Sequence, residues 1–190
     1  VKEKLKDYYG AIADYTKATE LDPNYFQAYY NRGIVKGKLK DYYGAIQDNS
    51  KAIEFNPDYA KAYNNRGNEK VNLKDYYGAI ADYTKAIELN YNEAYGNRGN
   101  VKVNLKDYYG AIADYTKAIN LDPENAGNYY GIALAKGKLG AYKYAGCQEA
   151  KIAQRLGYNT DDAIYLVDIL CPNDVTTSQI ILEALNTADY

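Results

Sequence analysis

The sequence contains no histidine, no tryptophan and no methionine, only four prolines and only two cysteines. Without histidine there is no imidazole for general acid–base work, no Ser-His-Asp triad and no histidine metal ligand. The two cysteines, Cys147 and Cys171, make no metal-like cluster. Two buried thiols are the expected reading, since free cysteine behaves as a small hydrophobe; a disulfide or two unrelated residues are the alternatives. There is no excess of basic charge either. The net charge is −2, with both signs interleaved, and a nucleic-acid partner would need a basic face. No apolar run is long enough to span a bilayer. No signal peptide is visible; an intracellular setting is favoured, although the compartment stays open. No set of residues supports catalysis, and no cofactor or metal is expected.

What is present is repetition. "KDYYGAI" occurs at residues 6–12, 40–46, 74–80 and 106–112. The preceding leucines, Leu5, Leu39, Leu73 and Leu105, are separated by 34, 34 and 32 residues, and Leu139 follows after another 34. A period near 34 marks a helix–turn–helix solenoid. In the unit from Asp58 to Asn90, "DYAKAYNNRGNEKVNL" reads as a first helix. Asp75 then caps a second, "YYGAIADYTKAIEL", in which Ala79, Ile80, Tyr83, Ala86 and Ile87 share an apolar face. Asp22-Pro23, Asn56-Pro57 and Asp122-Pro123 close most units, because proline cannot continue a helix.

Each "YY" pair raises a question, since adjacent residues on a helix point different ways. One tyrosine of each pair can enter the helix packing and the other cannot. Gly10, Gly44, Gly78 and Gly110 sit three residues after the capping aspartate, where glycine costs up to about 1 kcal/mol relative to alanine. Close approach of a neighbouring helix or tyrosine ring is the expected compensation.

Tyr63, Gly67, Asp75-Tyr76, Ala79, Tyr83 and Ala86 form a pattern that resembles the tetratricopeptide repeat. Tyr29, Gly33, Asp41-Tyr42, Ala45, Ala52 and Pro57 repeat it, with Asn49 departing from it where Tyr15, Tyr83 and Tyr115 stand. The resemblance implies an all-α fold, a right-handed superhelical solenoid of antiparallel helix pairs. It covers residues 1–157, and residues 158–190 are expected to form capping helices. "NTDDAIYLVDIL" should start near Asn159 or Thr160 and stop at Cys171-Pro172; a last helix should begin near Asp174 or Thr177 and present Ile180, Ile181, Leu182 and Leu185. Residues 1–5 align with the end of a first helix, so the first unit is expected to lack most of that helix. The third unit, "ELNYNEAYGN", is two residues short and lacks proline. A compact connection at residues 90–93 is expected there.

The resemblance also implies where binding occurs. A tetratricopeptide array carries a concave groove lined by its first helices. By alignment, the groove residues are Gln27, Tyr30, Ile34 and Lys38; Lys61, Asn64, Asn68 and Asn72; Glu93, Asn100 and Asn104; and Tyr130, Leu134 and Lys138. Asn31, Asn65 and Asn97 border them. Such a groove is amide-rich and nearly neutral, suited to the backbone of an extended peptide. Tyr8, Tyr42, Tyr76 and Tyr108 take the family's structural aromatic position. Tyr9, Tyr43, Tyr77 and Tyr109 are then expected on the outer side, as simple cover or as a contact for a partner. Arg32/Lys36, Arg66/Lys70 and Arg98/Lys102 recur with Asp14, Asp48, Asp82 and Asp114, and a structural ion-pair ladder is expected from their charge balance. The function expected is protein or peptide binding. A structural subunit of a large complex and an engineered consensus scaffold are the alternatives.

Overall fold

A computed structural model of the chain describes residues 2–140 and 144–171. These residues form ten α-helices and no strand. They fall into two compact units, Val1–Asn97 and Arg98–Tyr190. The first unit holds α1 (Lys2–Leu21), α2 (Phe26–Lys38), α3 (Tyr42–Phe55), α4 (Ala60–Asn72) and α5 (Tyr76–Glu88). Next is α6 (Ala94–Asn104), whose first turn belongs to this unit. The second unit continues with α7 (Tyr108–Leu121), α8 (Ala126–Leu139), α9 (Cys147–Arg155) and α10 (Asp161–Leu170). Helix α2 packs on α3, α4 on α5, α7 on α8 and α8 on α9, and short turns join α2 to α3, α4 to α5 and α7 to α8. Short turns between packed neighbours make antiparallel pairs.

Alanine makes the close packing possible. Ala45, Ala52, Ala62, Ala79, Ala86, Ala94, Ala111 and Ala118 are buried at the helix contacts. Larger apolar groups fill what remains, as with Tyr115 against Ala111 and Ile132. The turn within each pair uses an unusual residue. Lys40, Lys74 and Lys106 adopt left-handed backbone, with φ of 63°, 62° and 63°. At Lys40 and Lys74 the next amide returns to the helix: Asp41 N–H bonds the Lys36 carbonyl at 2.9 Å, and Asp75 N–H bonds that of Lys70 at 2.8 Å. The following aspartate then caps the next helix.

The glycine of "KDYYG" has a different explanation from the one expected. Asp41, Asp75 and Asp107 each accept a hydrogen bond from the glycine amide three residues on, at 3.0 Å. A Cβ on Gly44, Gly78 or Gly110 would clash with the other oxygen of that carboxylate. The capping aspartate, not a neighbouring helix or ring, occupies the space. Gly10 has no such contact, because Asp7 lies inside α1 rather than ahead of it.

Three expectations are corrected in position. Residues 2–5 do not end a separate helix; the backbone continues unbroken through Lys6 into α1. The short unit is not absorbed by a compact connection. Helix α5 has 13 residues against 14 in α3, and α6 has 11 against 13 in α4. The connection at 89–93 is one residue longer than that at 56–59, and Asn90 turns the chain with φ 63°. Without proline the stop depends on that left-handed residue, with Tyr91 N–H bonding the Ala86 carbonyl at 2.9 Å. Finally, Cys147 and Cys171 form a disulfide rather than two thiols. Their Cα atoms stand 5.2 Å apart, within bridging range, at the join of α9 and the end of α10. Thr160 caps α10 by accepting from Ala163 N–H at 3.2 Å, one of the two positions expected. The last expected helix and its apolar residues lie outside the described residues.

Candidate binding faces of the first helices

The tyrosine pairs divide as the helix geometry requires. Tyr8, Tyr42, Tyr76 and Tyr108 are partly buried. Tyr9, Tyr43, Tyr77 and Tyr109 are 65–77% exposed. All but Tyr9 stand in the first turn of their helices, beside the capping aspartate.

The ion-pair ladder is present and bidentate. Arg32 donates through Nε and Nη2 to both oxygens of Asp48, at 2.9 and 2.7 Å. Lys36 joins the same carboxylate at 2.8 Å. Arg66 and Lys70 repeat this on Asp82, and Arg98 and Lys102 on Asp114. Each aspartate is nearly fully buried. Arg32 also donates to the hydroxyls of Thr16 and Thr19, and Arg66 to Ser50. One guanidinium therefore ties three successive helices together. Its stem lies on an aromatic face, with Arg32 5.4 Å from the Tyr29 centroid and Arg66 5.5 Å from Tyr63. Asp14, expected in the ladder, is exposed. The ladder ends where Ile132 replaces the arginine; there Lys136 pairs with Glu149 at 2.6 Å instead.

The asparagines on the first helices divide by unit. In the first unit, Asn64 is buried and accepts from Asn97 Nδ2 at 2.9 Å. Asn68 accepts from the Tyr83 hydroxyl at 2.7 Å. Tyr30 lies edge-on to Tyr59, 4.9 Å between centroids, with the Asn65 amide and the Tyr59 hydroxyl as neighbouring donors. Burial raises the Tyr30 phenol pKa, and those two donors oppose the shift. Phe26 extends the aromatic group, 5.0 Å from Tyr59. Asn31 is partly buried on α2. Thus Phe26, Tyr59 and Tyr30 form one aromatic group, and Asn64 and Asn97 one amide pair.

In the second unit, Asn100 accepts from the Tyr115 hydroxyl at 2.7 Å, while Asn104 is exposed at the end of α6. Tyr130 stacks obliquely on Tyr158 at 4.9 Å. With Leu134, Gly137, Lys138, Asp162, Tyr165 and residues of α10 it lines a recess of about 290 Å3. Burial raises its phenol pKa, aided by the negative charge of Asp162.

Of two departures from the repeat, Asn49 was read in the sequence and Glu69 was missed. Asn49 stands where Tyr83 and Tyr115 stand, and Ile34 where Asn68 and Asn100 receive their hydroxyls. Asn49 donates to the Ala45 carbonyl at 2.9 Å, but its Oδ1 is buried without a partner. Glu69 stands where Val35 and Val101 are buried in other units, so the face is not neutral throughout. Aligning the units position by position exposes both departures. No group of three or more His, Cys, Asp or Glu is placed to hold a metal among the described residues, and none of their helices is long and apolar enough to cross a membrane.

No curated protein sequence matches the chain at a significant level. Solved structures do. The chain is similar to the crystal structure of MamA, with 23% identity, a TM-score of 0.69, and cover of 100% of this chain and 95% of that one. It is similar to YrrB, described as a TPR protein with an unusual peptide-binding site, at 18% identity, a TM-score of 0.71, and cover of 92% and 91%. It also resembles the first TPR of Spaghetti (RPAP3) bound to an HSP90 peptide, SRMEEVD, at 25% identity, a TM-score of 0.59, and cover of 60% and 92%. Residues 4–40 match the TPR repeat, and residues 26–59, 60–90 and 93–125 match the tetratricopeptide repeat. With matched repeats over more than half its length and the helix pairs they imply, this chain belongs to the tetratricopeptide repeat family.

Proposed function

We propose that the chain is a non-catalytic protein-interaction module whose first helices hold an extended peptide or a partner helix. In the first unit the contact set is Tyr30, Asn31, Asn64, Asn65, Asn68 and Asn97; in the second it is Asn100, Asn104 and Tyr130. The observation that carries the reading is the tethered amide and phenol set of the first unit. The Asn64–Asn97 bond and the Tyr30–Tyr59 ring contact hold these groups in fixed positions before any partner arrives. Preorganised donors and acceptors lose less side-chain entropy on binding. The similar YrrB and RPAP3 structures are described with a peptide-binding site and a bound peptide, which supports the same use here. In this reading residues 1–157 are the array and residues 158–190 its cap.

A phage-displayed random heptapeptide library, panned on the immobilised chain, tests this. Selected peptides should lose affinity at least tenfold on Tyr30→Ala/Asn104→Ala and keep it on Tyr43→Ala/Tyr77→Ala. A library that yields no binder overturns the reading.

A second reading has its own support. Tyr43, Tyr77 and Tyr109 are 70–77% exposed beside capping aspartates, and exposed tyrosine is enriched at interfaces. With Tyr9 they would serve a structural subunit that joins a larger complex through its outer face. Loss of binding only on the Tyr43/Tyr77 variant would favour it.

A further inference from the structure

We propose that Glu69 anchors a basic side chain, an arginine or lysine, of the peptide partner at the first unit. The inference rests on the first-helix reading above and adds its chemical specificity.

The argument begins with position. Val35 and Val101 are buried at the equivalent place on α2 and α6, and Ala135 on α8. A carboxylate there is a departure that packing alone does not explain, since valine fits the same geometry elsewhere in the chain. Room has been made for it. Gly37 of α2 faces Glu69, and a Cβ on Gly37 would clash with Glu69 Oε1. At the matching Gly137 the neighbour is Leu170, an apolar side chain. Glu69 is therefore a polar group in a slot between α2 and α4 that elsewhere takes hydrocarbon.

Its charge is uncompensated. Asn72, a neutral donor that brings no cation, bonds Oε2 at 3.1 Å. The lysines of α2 and α4 are turned to other tasks. Lys36 pairs with Asp48 at 2.8 Å and Lys70 with Asp82 at 2.7 Å. Lys38 stands over the Tyr8 ring at 5.8 Å. Lys61 is eight residues back along α4, about 12 Å away at the helical rise. Partial burial raises the Glu69 pKa, with Asn72 opposing the shift, and the carboxylate remains partly open to solvent. A partly desolvated carboxylate, held in one orientation and lacking a cation, favours a ligand that brings one. Asn72 is itself among the residues aligned with the binding face, so the anchor adjoins it.

The experiment uses the full chain and the library above, with Glu69→Gln and Glu69→Val. Valine restores the residue of Val35 and Val101 and keeps the helix contact. Peptides selected by the parent chain should share an arginine or lysine. Replacing it by citrulline or norleucine should weaken binding at least tenfold on the parent and leave it unchanged on Glu69→Val. Raising salt from about 50 mM to about 0.5 M should weaken the arginine peptide on the parent alone. Selected peptides without a shared basic residue, or equal discrimination by Glu69→Val, overturn the anchor and leave the first-helix reading standing. A library that yields no binder overturns both.

Discussion

The Tyr83 hydroxyl lies 2.7 Å from Oδ1 of Asn68, and Tyr115 makes the same bond to Asn100. Asparagines aligned with the binding face thus also hold up the core. Tyr83 is 2% exposed, and its ring fits against Gly67, where a Cβ would meet ring carbon at 2.8 Å. Asn68→Ala should leave the hydroxyl without this partner and lower stability by about 1–3 kcal/mol. Tyr83→Phe should cost less, about 0.5–1.5 kcal/mol, since donor and packing are treated differently. Urea denaturation of both variants decides it. Equal stability of Asn68→Ala and the parent chain would show that the bond contributes nothing.

The inverse arrangement surrounds Asn49. Its Oδ1 is orphaned, and Ile34 offers no acceptor or donor across from it. Ile34→Asn with Asn49→Tyr recreates the Asn68–Tyr83 pair, and Gly33 supplies the glycine that Gly67 supplies there. The double variant should gain about 1–2 kcal/mol by removing the unpaired amide and filling the site. Asn49→Tyr alone should gain less, because its hydroxyl would face Ile34. A double variant less stable than the single one would contradict the pairing.

The charged ladder should respond asymmetrically. Arg66→Leu leaves Asp82 paired with Lys70, so stability should fall by less than about 1.5 kcal/mol. Asp82→Ala leaves both Arg66 and Lys70 without their common carboxylate in a partly buried place, and should cost about 3 kcal/mol or more. Thermal unfolding of the two variants measures the order. A larger loss from Arg66→Leu would mean that the Ser50 bond and the Tyr63 contact outweigh the ion pair.

Periodicity made the helix pairs legible, because each unit repeats the same leucine, aspartate and alanine positions. The capping role of Asp75 and the Arg–Asp recurrence were legible for the same reason. What stayed hidden depended on atoms rather than positions. "KDYYG" does not say that the aspartate carboxylate fills the space over Gly78. The short third unit showed that two residues were missing, but not that the helix ends, rather than the loop, would yield them. Nor could a count of amides tell which of them were engaged: Asn68 and Asn100 bond buried tyrosines, whereas Asn104 is exposed. The site set of the binding face was named from alignment, and the carboxylate of Glu69 beside it emerged only from comparing each unit with the next.

The second unit should depend on its disulfide. Cys147 and Cys171 are separated by 24 residues and lie in a buried cluster with Ala133, Tyr144, Ala150 and Leu170. Closing that loop removes freedom from the unfolded chain, worth about 3 kcal/mol in the chain-entropy picture. Leu170 of α10 lies in that cluster, and Leu166 and Val167 pack against it. Reduction, or the Cys147→Ser/Cys171→Ser variant, should therefore loosen α9 and α10 first. Amide exchange there should rise strongly, while the amides of α3 and α4, held by Asp48 and its two cations, keep their protection. Reduced chain should also be cut sooner by protease near residues 156–160. Unchanged exchange in α9 and α10 after full reduction would show that apolar packing holds the pair, as two buried thiols would have allowed.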